Sequence, residues 1–455
     1  MSNSKYNIDM SNGPLLKKII IFSLPLMLSG CLQLFFNAAD MIVAGQYAGR
    51  NALGAVGSTS SLINLIVNVF MGISTGVNVI IALCIGAKDK KNASEVAHTA
   101  VASSIIFGVL VGVIGFASAK PALTLMKCPP EVIGGAVTYM RIYFIGAPAL
   151  LFYNFGSAIL RAAGDTKRPL YYLSLAGVIN IIVNLIFVIN FHMGVAGVAW
   201  ATVISETISA ILVLRCLMKS DDIYKIELKK IMIHTDKFKR IIKVGLPAGI
   251  QSALFSISNV LIQSSVNSLG AAAVAGSAAS GNLEGFVYTA MNSFHHTAMA
   301  FTGQNAGAKK FDRVRKILLL CSGLVIVIGV VLAGLFLLFK NPLLKLYIPD
   351  DPEAIKYGIT RLTVIFATYY LCGLNEVIVG VLRGIGASLM PTLNSVFAIC
   401  ILRIIWVTTV FSAYGTMTAL FVSYPVSWTV AIIMQLACYF LAMRKIKRTN
   451  ALVNW

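Results

Sequence analysis

Residues Leu15–Tyr47 read LLKKIIIFSLPLMLSGCLQLFFNAADMIVAGQY. As a helix this stretch rises 1.5 Å per residue and is long and apolar enough to cross a hydrocarbon layer of about 30 Å. Yet it carries Gln33, Asn37 and Asp40, whose spacings of four and three put all three on one helical face. A carboxylate inside a bilayer costs a few kcal/mol and persists mainly where it faces a cavity or takes part in ion or proton movement. Asp40 is therefore the first functional candidate.

The rest of the chain has the same character. Of its 455 residues 58% are hydrophobic and 12% charged, about half the charge of a soluble protein. The formal charge of +20 does not mark a nucleic-acid binder, because the 37 Lys and Arg residues sit almost wholly between apolar runs, where basic residues fix topology. Eight cysteines are scattered singly, with no CxxC or Cys/His spacing for a metal or redox site. The first apolar stretch is too long for a signal peptide and no A-x-A site follows, so the helix is expected to be retained.

Twelve runs are long enough to span, near residues 16–39, 59–83, 97–119, 136–158, 170–190, 195–217, 241–265, 281–303, 317–339, 358–381, 391–412 and 417–442. Loops alternate strongly in charge: 28 basic residues fall on one side and 7 on the other, with Arg141 and Arg403 inside spans. The positive-inside rule then places both termini in the cytoplasm. The chain also repeats itself at an offset of 221 to 222 residues. LKKIIIF at 16–22 followed by Leu24-Pro25 answers FKRIIKV at 238–244 followed by Leu246-Pro247, Gly86-Ala87-Lys88 answers Gly307-Ala308-Lys309, and Leu160-Arg161 with Gly164 and Pro169 answers Leu382-Arg383 with Gly386 and Pro391. Six helices per repeat means both halves enter from the same side. The expected fold is an all-α polytopic membrane protein with two six-helix lobes, residues 1–218 and 241–455, related by a pseudo-two-fold axis along the membrane normal. Residues 219–240 form a cytoplasmic linker, read as solvated in preference to a leaflet-bound amphipathic helix.

The six-helix repeat, LPxxxxxxxQxxxxxxD in helix 1, the two G-A-K turns and LRAAGDTKRP after helix 4 together resemble the multidrug and toxic compound extrusion (MATE) family over essentially the whole chain. The resemblance implies a secondary antiporter of the bacterial inner membrane. It would expel small organic, often cationic compounds in exchange for protons or sodium ions, need no other cofactor, and work as a monomer. It is closer to the DinF-like branch, whose coupling aspartate falls on Asp40, with Gln33 two turns earlier, a helix 5 pair on Asn180 and Asn184, and a helix 6 threonine on Thr202. Where that branch often has N-x-x-x-D-P, this chain has Asn184-Leu185, so the second acid is missing. The NorM-like branch puts acids in helices 7 and 10. Here helix 7 has none and the helix 10 position falls near Cys372.

Counting from the helix ends puts Asp40 about 30 Å from the inner face, Asn184 about 20 Å, and Thr202 about 12 Å down from the outer face. A shared outer-half site is thus geometrically open. Three further acids lie in spans. Glu284 is read as a second ion or substrate carboxylate, or as an interfacial residue. Glu376, seven residues before Arg383, is read as a gate or arginine partner, and Glu206 as an inward extension of the Asp40 network, one turn after Thr202. This reading ranks Glu284 above Glu206 in importance. Arg141 and Arg403 are natural partners for these acids. His295 and His296 point about 100° apart and cannot clamp one metal ion. Phe35, Phe36, Tyr153 and Phe155 are candidate cation–π surface, though such residues are more often core.

The alternative is a lipid or lipid-linked oligosaccharide flippase of related architecture, which needs a large cationic cleft that Arg141 and Arg403 alone do not supply. An intramembrane enzyme is disfavoured, because no HExxH occurs and no acids cluster with a His at a membrane face.

Overall fold

The computed structural model describes residues 6–349 and 351–449, so Lys5 and the C-terminal tail lie outside the described residues. The described chain is helical, with no strand in it: α1 Leu15–Tyr47, α2 Arg50–Gly86, α3 Lys90–Leu125, α4 Pro130–Ile145, α5 Ala147–Ala162, α6 Lys167–Asn190, α7 Gly194–Lys219, α8 Thr235–Asn267, α9 Ala271–Gly307, α10 Phe311–Leu338, the short α11 Lys340–Tyr347, α12 Pro352–Phe366, α13 Tyr369–Gly384, α14 Leu389–Tyr414 and α15 Met417–Thr449. Nine are long and apolar enough to span alone. The pairs α4–α5 and α12–α13, bent by 48° and 46°, bring the number to eleven. The remaining expected span falls within α9, whose 37 residues are long enough but carry Glu284, His295 and His296.

The repeat is written into the backbone as well as the sequence. Lys88 and Lys309, the last residues of the two G-A-K turns, both take left-handed φ, 56° and 57°. A 6→1 bond closes each turn, from Asp89 N–H to the Cys84 carbonyl at 3.0 Å and from Lys310 N–H to the Asn305 carbonyl at 2.8 Å. Gly164 and Gly386 follow suit with φ of 97° and 89°, where an L side chain would be strained. The two bends also answer each other. The first falls at Gly146–Pro148, where the proline ring cannot donate to the helical ladder.

By packing, the chain divides into two compact units: Met1–Asp9 with Leu28–Gly249, and Met10–Met27 with Ile250–Trp455. In the first, α3 packs on α4 and α5, α2 on both of them, and α6 on α7. Gly115 lets the Phe144 ring sit where a Cβ would be, 2.3 Å from the nearest ring atom. In the second, α9 is central and packs on α10, α12 and α13.

Within the first unit α8 begins with a close crossing. An added Cβ would lie 2.1 Å from Gly249 N at Gly72, 2.3 Å from the Ile241 carbonyl oxygen at Gly76, 2.6 Å from Ile73 Cα at Gly245, and 2.2 Å from the Val69 carbonyl oxygen at Gly249. Gly72-x-x-x-Gly76 thus faces Gly245-x-x-x-Gly249, the small-residue device that lets membrane helices touch backbone to backbone.

The segment between α7 and α8 is not a freely solvated tether. Tyr224 and Ile226 are buried, and Asp222 Oδ2 accepts from both Tyr224 OH at 2.9 Å and Asn7 Nδ2 at 2.8 Å. Glu227 N–H donates to His98 Nε2 at 3.0 Å and His234 N–H to Thr99 Oγ1 at 3.1 Å. Leu228, Met232 and Ile233 of the same segment remain exposed.

Candidate functional site

Three helices of the first unit meet at Asp40. The Phe36 ring of α1 rests on Gly177 of α6, 1.9 Å from where a Cβ would stand, so only glycine permits the approach. One turn further along α1, Asp40 Oδ1 accepts from Asn184 Nδ2 of α6 at 2.8 Å. Thr202 Oγ1 of α7 stands 3.5 Å from Asp40 Oδ2 but is better placed to donate to the Val198 carbonyl at 3.1 Å. One hydroxyl proton cannot serve both fully, so Oδ2 is the less satisfied oxygen.

The same helices carry acceptors without donors. Glu206 lies within electrostatic reach of Asp40, and its Oε2, with Oδ1 of Asn180 and of Asn184, is sealed from solvent with no hydrogen-bond partner among the described residues. Tyr139 is within reach of both carboxylates and stacks on Tyr143 with centroids 6.3 Å apart. Gln33 and Asn37 share the face of Asp40 but are exposed. Phe155 is fully buried and Tyr153 nearly so, and both are core. Arg141 lies over the Phe116 ring at 5.0 Å and makes no ion pair among the described residues.

The second unit holds the remaining candidates around a cavity of about 540 Å³, lined among others by Glu284, Arg361, Tyr369, Glu376, Arg403 and Trp428. None of Asp40, Asn184 and Thr202 borders it. Glu284 is paired with neither Arg141 nor Arg403. Arg361 grips it with both ends of its fork, Nε to Oε1 at 2.7 Å and Nη2 to Oε2 at 2.8 Å. Arg361 escaped the reading of the sequence because it was counted with the loop cations, although it falls inside the apolar run 358–381. The counterpart of Glu376 is His295, whose Nδ1 is 3.2 Å from Oε2. On the far side of that ring, Arg383 Nη1 lies 3.4 Å from His295 Nε2, and its Nη2 donates to Gln251 Oε1 at 2.9 Å. Arg403 donates from Nε to Ser427 Oγ at 3.0 Å, and its guanidinium lies 3.8 Å above the Tyr424 ring centroid.

A family model described as MatE matches residues 25–186 and again 247–409, once in each half of the sequence. The chain is 30% identical over 406 residues to the probable multidrug resistance protein YpnP of Bacillus subtilis (strain 168), covering 89% of this chain and 90% of the relative. It is 29% identical over 440 residues to the probable multidrug resistance protein YoeA of the same organism, covering 94% of each. Among solved structures, the outward-facing conformation of a multidrug resistance MATE family transporter of the MOP superfamily superposes with a TM-score of 0.90 at 22% identity, over 97% of this chain and 98% of that one.

Proposed function

The chain belongs to the MatE family of multi-pass membrane transporters, and on that premise we propose that it is a multidrug exporter, expelling small organic compounds, cationic ones above all, in exchange for protons or sodium ions. Asp40 is the carboxylate that ion and cargo share, a DinF-like arrangement in the first unit. The observation that carries this reading is the setting of Asp40. Asn184 holds one of its oxygens, the other is only loosely held by Thr202, and Glu206, within electrostatic reach, keeps a sealed oxygen without a donor.

The physical sequence follows from that setting. A carboxylate withdrawn from water is stabilised by a cation, and an organic cation is held by the same charge. A proton or sodium ion arriving at Oδ2 removes the counter-charge and releases the cargo. A protonated Asp40 donates to one of the waiting acceptors, Thr202 Oγ1 or a neighbouring amide oxygen. A sodium ion instead finds several oxygens of the kind it prefers. Both termini are assigned to the cytoplasm and the membrane to the bacterial inner membrane, on the loop charge bias.

The deciding experiment uses reconstituted protein in liposomes loaded with ethidium, driven in turn by a proton and by a sodium gradient. Efflux under at least one gradient, lost in Asp40→Asn, is expected. Gradient-independent efflux, or none with any organic cation, overturns the reading.

A further inference from the structure

We propose that the cavity of the second unit is a binding site for an aromatic organic anion, with Arg403 as the group that receives its carboxylate. This goes beyond the Asp40 reading and does not depend on it.

The first ground is charge. Four ionisable side chains of permanent sign line the cavity: Glu284, Glu376, Arg361 and Arg403. Glu284 and Arg361 neutralise each other in a two-point pair. Glu376 is held by His295, behind which stands Arg383. Whatever the protonation of His295, Arg383 offsets Glu376 and the Arg403 charge is left over. Arg403 is 4% exposed and has no carboxylate partner among the described residues, a costly state for a buried guanidinium unless something else supplies the negative charge.

The second ground is geometry. Only Nε of Arg403 is spent, on Ser427. The two Nη groups have no protein acceptor among the described residues, and they are not among the atoms sealed from solvent, so they open to the cavity that Arg403 lines. Stacking on Tyr424 at 3.8 Å, with Trp428 at 6.0 Å, fixes the guanidinium plane and leaves its in-plane donors free. That is the arrangement in which arginine receives a carboxylate with two parallel bonds. The backbone is shaped around it. Arg403 sits in a five-residue α-helical piece, Leu402–Trp406, between two π-helical turns, Val396–Ile401 and Val407–Phe411, and such turns concentrate at functional sites.

The third ground is the wall. Tyr288, Tyr369, Tyr424 and Trp428 border a space of about 540 Å³, the size of a site for a drug-like molecule. Tyr369 and Trp428 lie with centroids 5.6 Å apart. Aromatic faces bind planar rings whatever their charge, and the sign of the preferred ligand is then set by Arg403.

The test uses the full chain, purified in detergent, and isothermal titration calorimetry with three probes that share one ring system: 2-naphthoate, neutral 2-naphthamide and 2-naphthylmethylammonium. Naphthoate is expected to bind at least about tenfold tighter than naphthamide, and the ammonium compound weakest. Arg403→Gln should bring naphthoate down to the naphthamide level, while Arg403→Lys, which keeps the charge but loses the fork, should retain part of the preference. Equal binding of naphthoate and naphthamide by the wild-type protein overturns the proposal, as does a naphthoate preference that survives in Arg403→Gln. If Arg403→Gln does not fold, the wild-type comparison and Arg403→Lys decide, and a preference that lysine leaves unchanged overturns the assignment to the guanidinium.

Discussion

Asn184 donates through Nδ2 to Asp40 Oδ1 at 2.8 Å, a single bond that fastens α1 to α6 across 144 residues of chain. Bonds to a charged acceptor are worth about 1.5–3 kcal/mol, so Asn184→Ala should lower the affinity for an organic cation or coupling ion by about tenfold without loss of folded protein. Asp40→Asn preserves size and hydrogen bonding but fixes the group neutral, and gradient-driven efflux should fall to background. An Asp40→Asn protein that pumps at the wild-type rate in liposomes moves the coupling site elsewhere.

The ion pair of Glu284 with Arg361 predicts a different kind of damage. Removing one partner strands a buried charge at a cost of about 3–5 kcal/mol. Arg361→Gln and Glu284→Gln should each lower the thermal midpoint, and the double variant should lose less than the sum of the two. Glu206, near Asp40 and without a donor on Oε2, is placed to affect coupling instead. On the Asp40 proposal the expected order is the opposite of the one read from the sequence: at equal expression, efflux per folded molecule should suffer more from Glu206→Gln than from Glu284→Gln. Equal efflux by the two variants refutes this ranking.

The glycine crossing of α2 and α8 leaves no room for a methyl group, since both an added Cβ at Gly72 and one at Gly249 meet backbone atoms. Gly72→Ala and Gly249→Ala should each force the helices apart and cost about 1–3 kcal/mol, the usual penalty of overpacking. Gly323→Ala meets nothing within 4 Å and should be neutral or slightly stabilising, since alanine is the better helix former. Thermal melting of the detergent-purified proteins separates the two outcomes. A Gly72→Ala protein as stable as wild type is incompatible with the backbone contact.

Loop charge predicts that residues 88–91, 215–243 and 309–316 face the cytoplasm. In a background without the eight native cysteines, single cysteines there should resist an impermeant thiol reagent added to intact cells. Ready labelling of all three loops reverses the orientation.

Much of this was readable in the sequence, and the reason is physical. Hydropathy and length locate the helices because the bilayer imposes both, and the G-A-K turns show because left-handed φ at Lys88 and Lys309 recurs with the repeat. The family resemblance sets Asp40, Asn184 and Thr202 side by side, and Asn184 Nδ2 lies 2.8 Å and Thr202 Oγ1 3.5 Å from the carboxylate. The second unit was less legible. Glu284 and Arg361 are 77 residues apart, and no periodicity within one helix links an acid on α9 to a base on α12. Arg403 was visible as an in-span cation, but its stacking on Tyr424 depends on how α14 winds, and the widened turns on either side leave no clear mark in composition.

The assignment of Thr235–Gly249 to the first unit, sealed by the Gly72/Gly249 crossing, bears on how the protein is made. The first unit lacks a helix start until the ribosome has passed residue 249, well beyond the seventh helix, while Met10–Met27 emerges first and must wait for the last half of the chain. Neither unit is complete in a translation product divided at the segment between α7 and α8. Two polypeptides divided there should depend on each other for survival in the membrane, each degraded when synthesised alone.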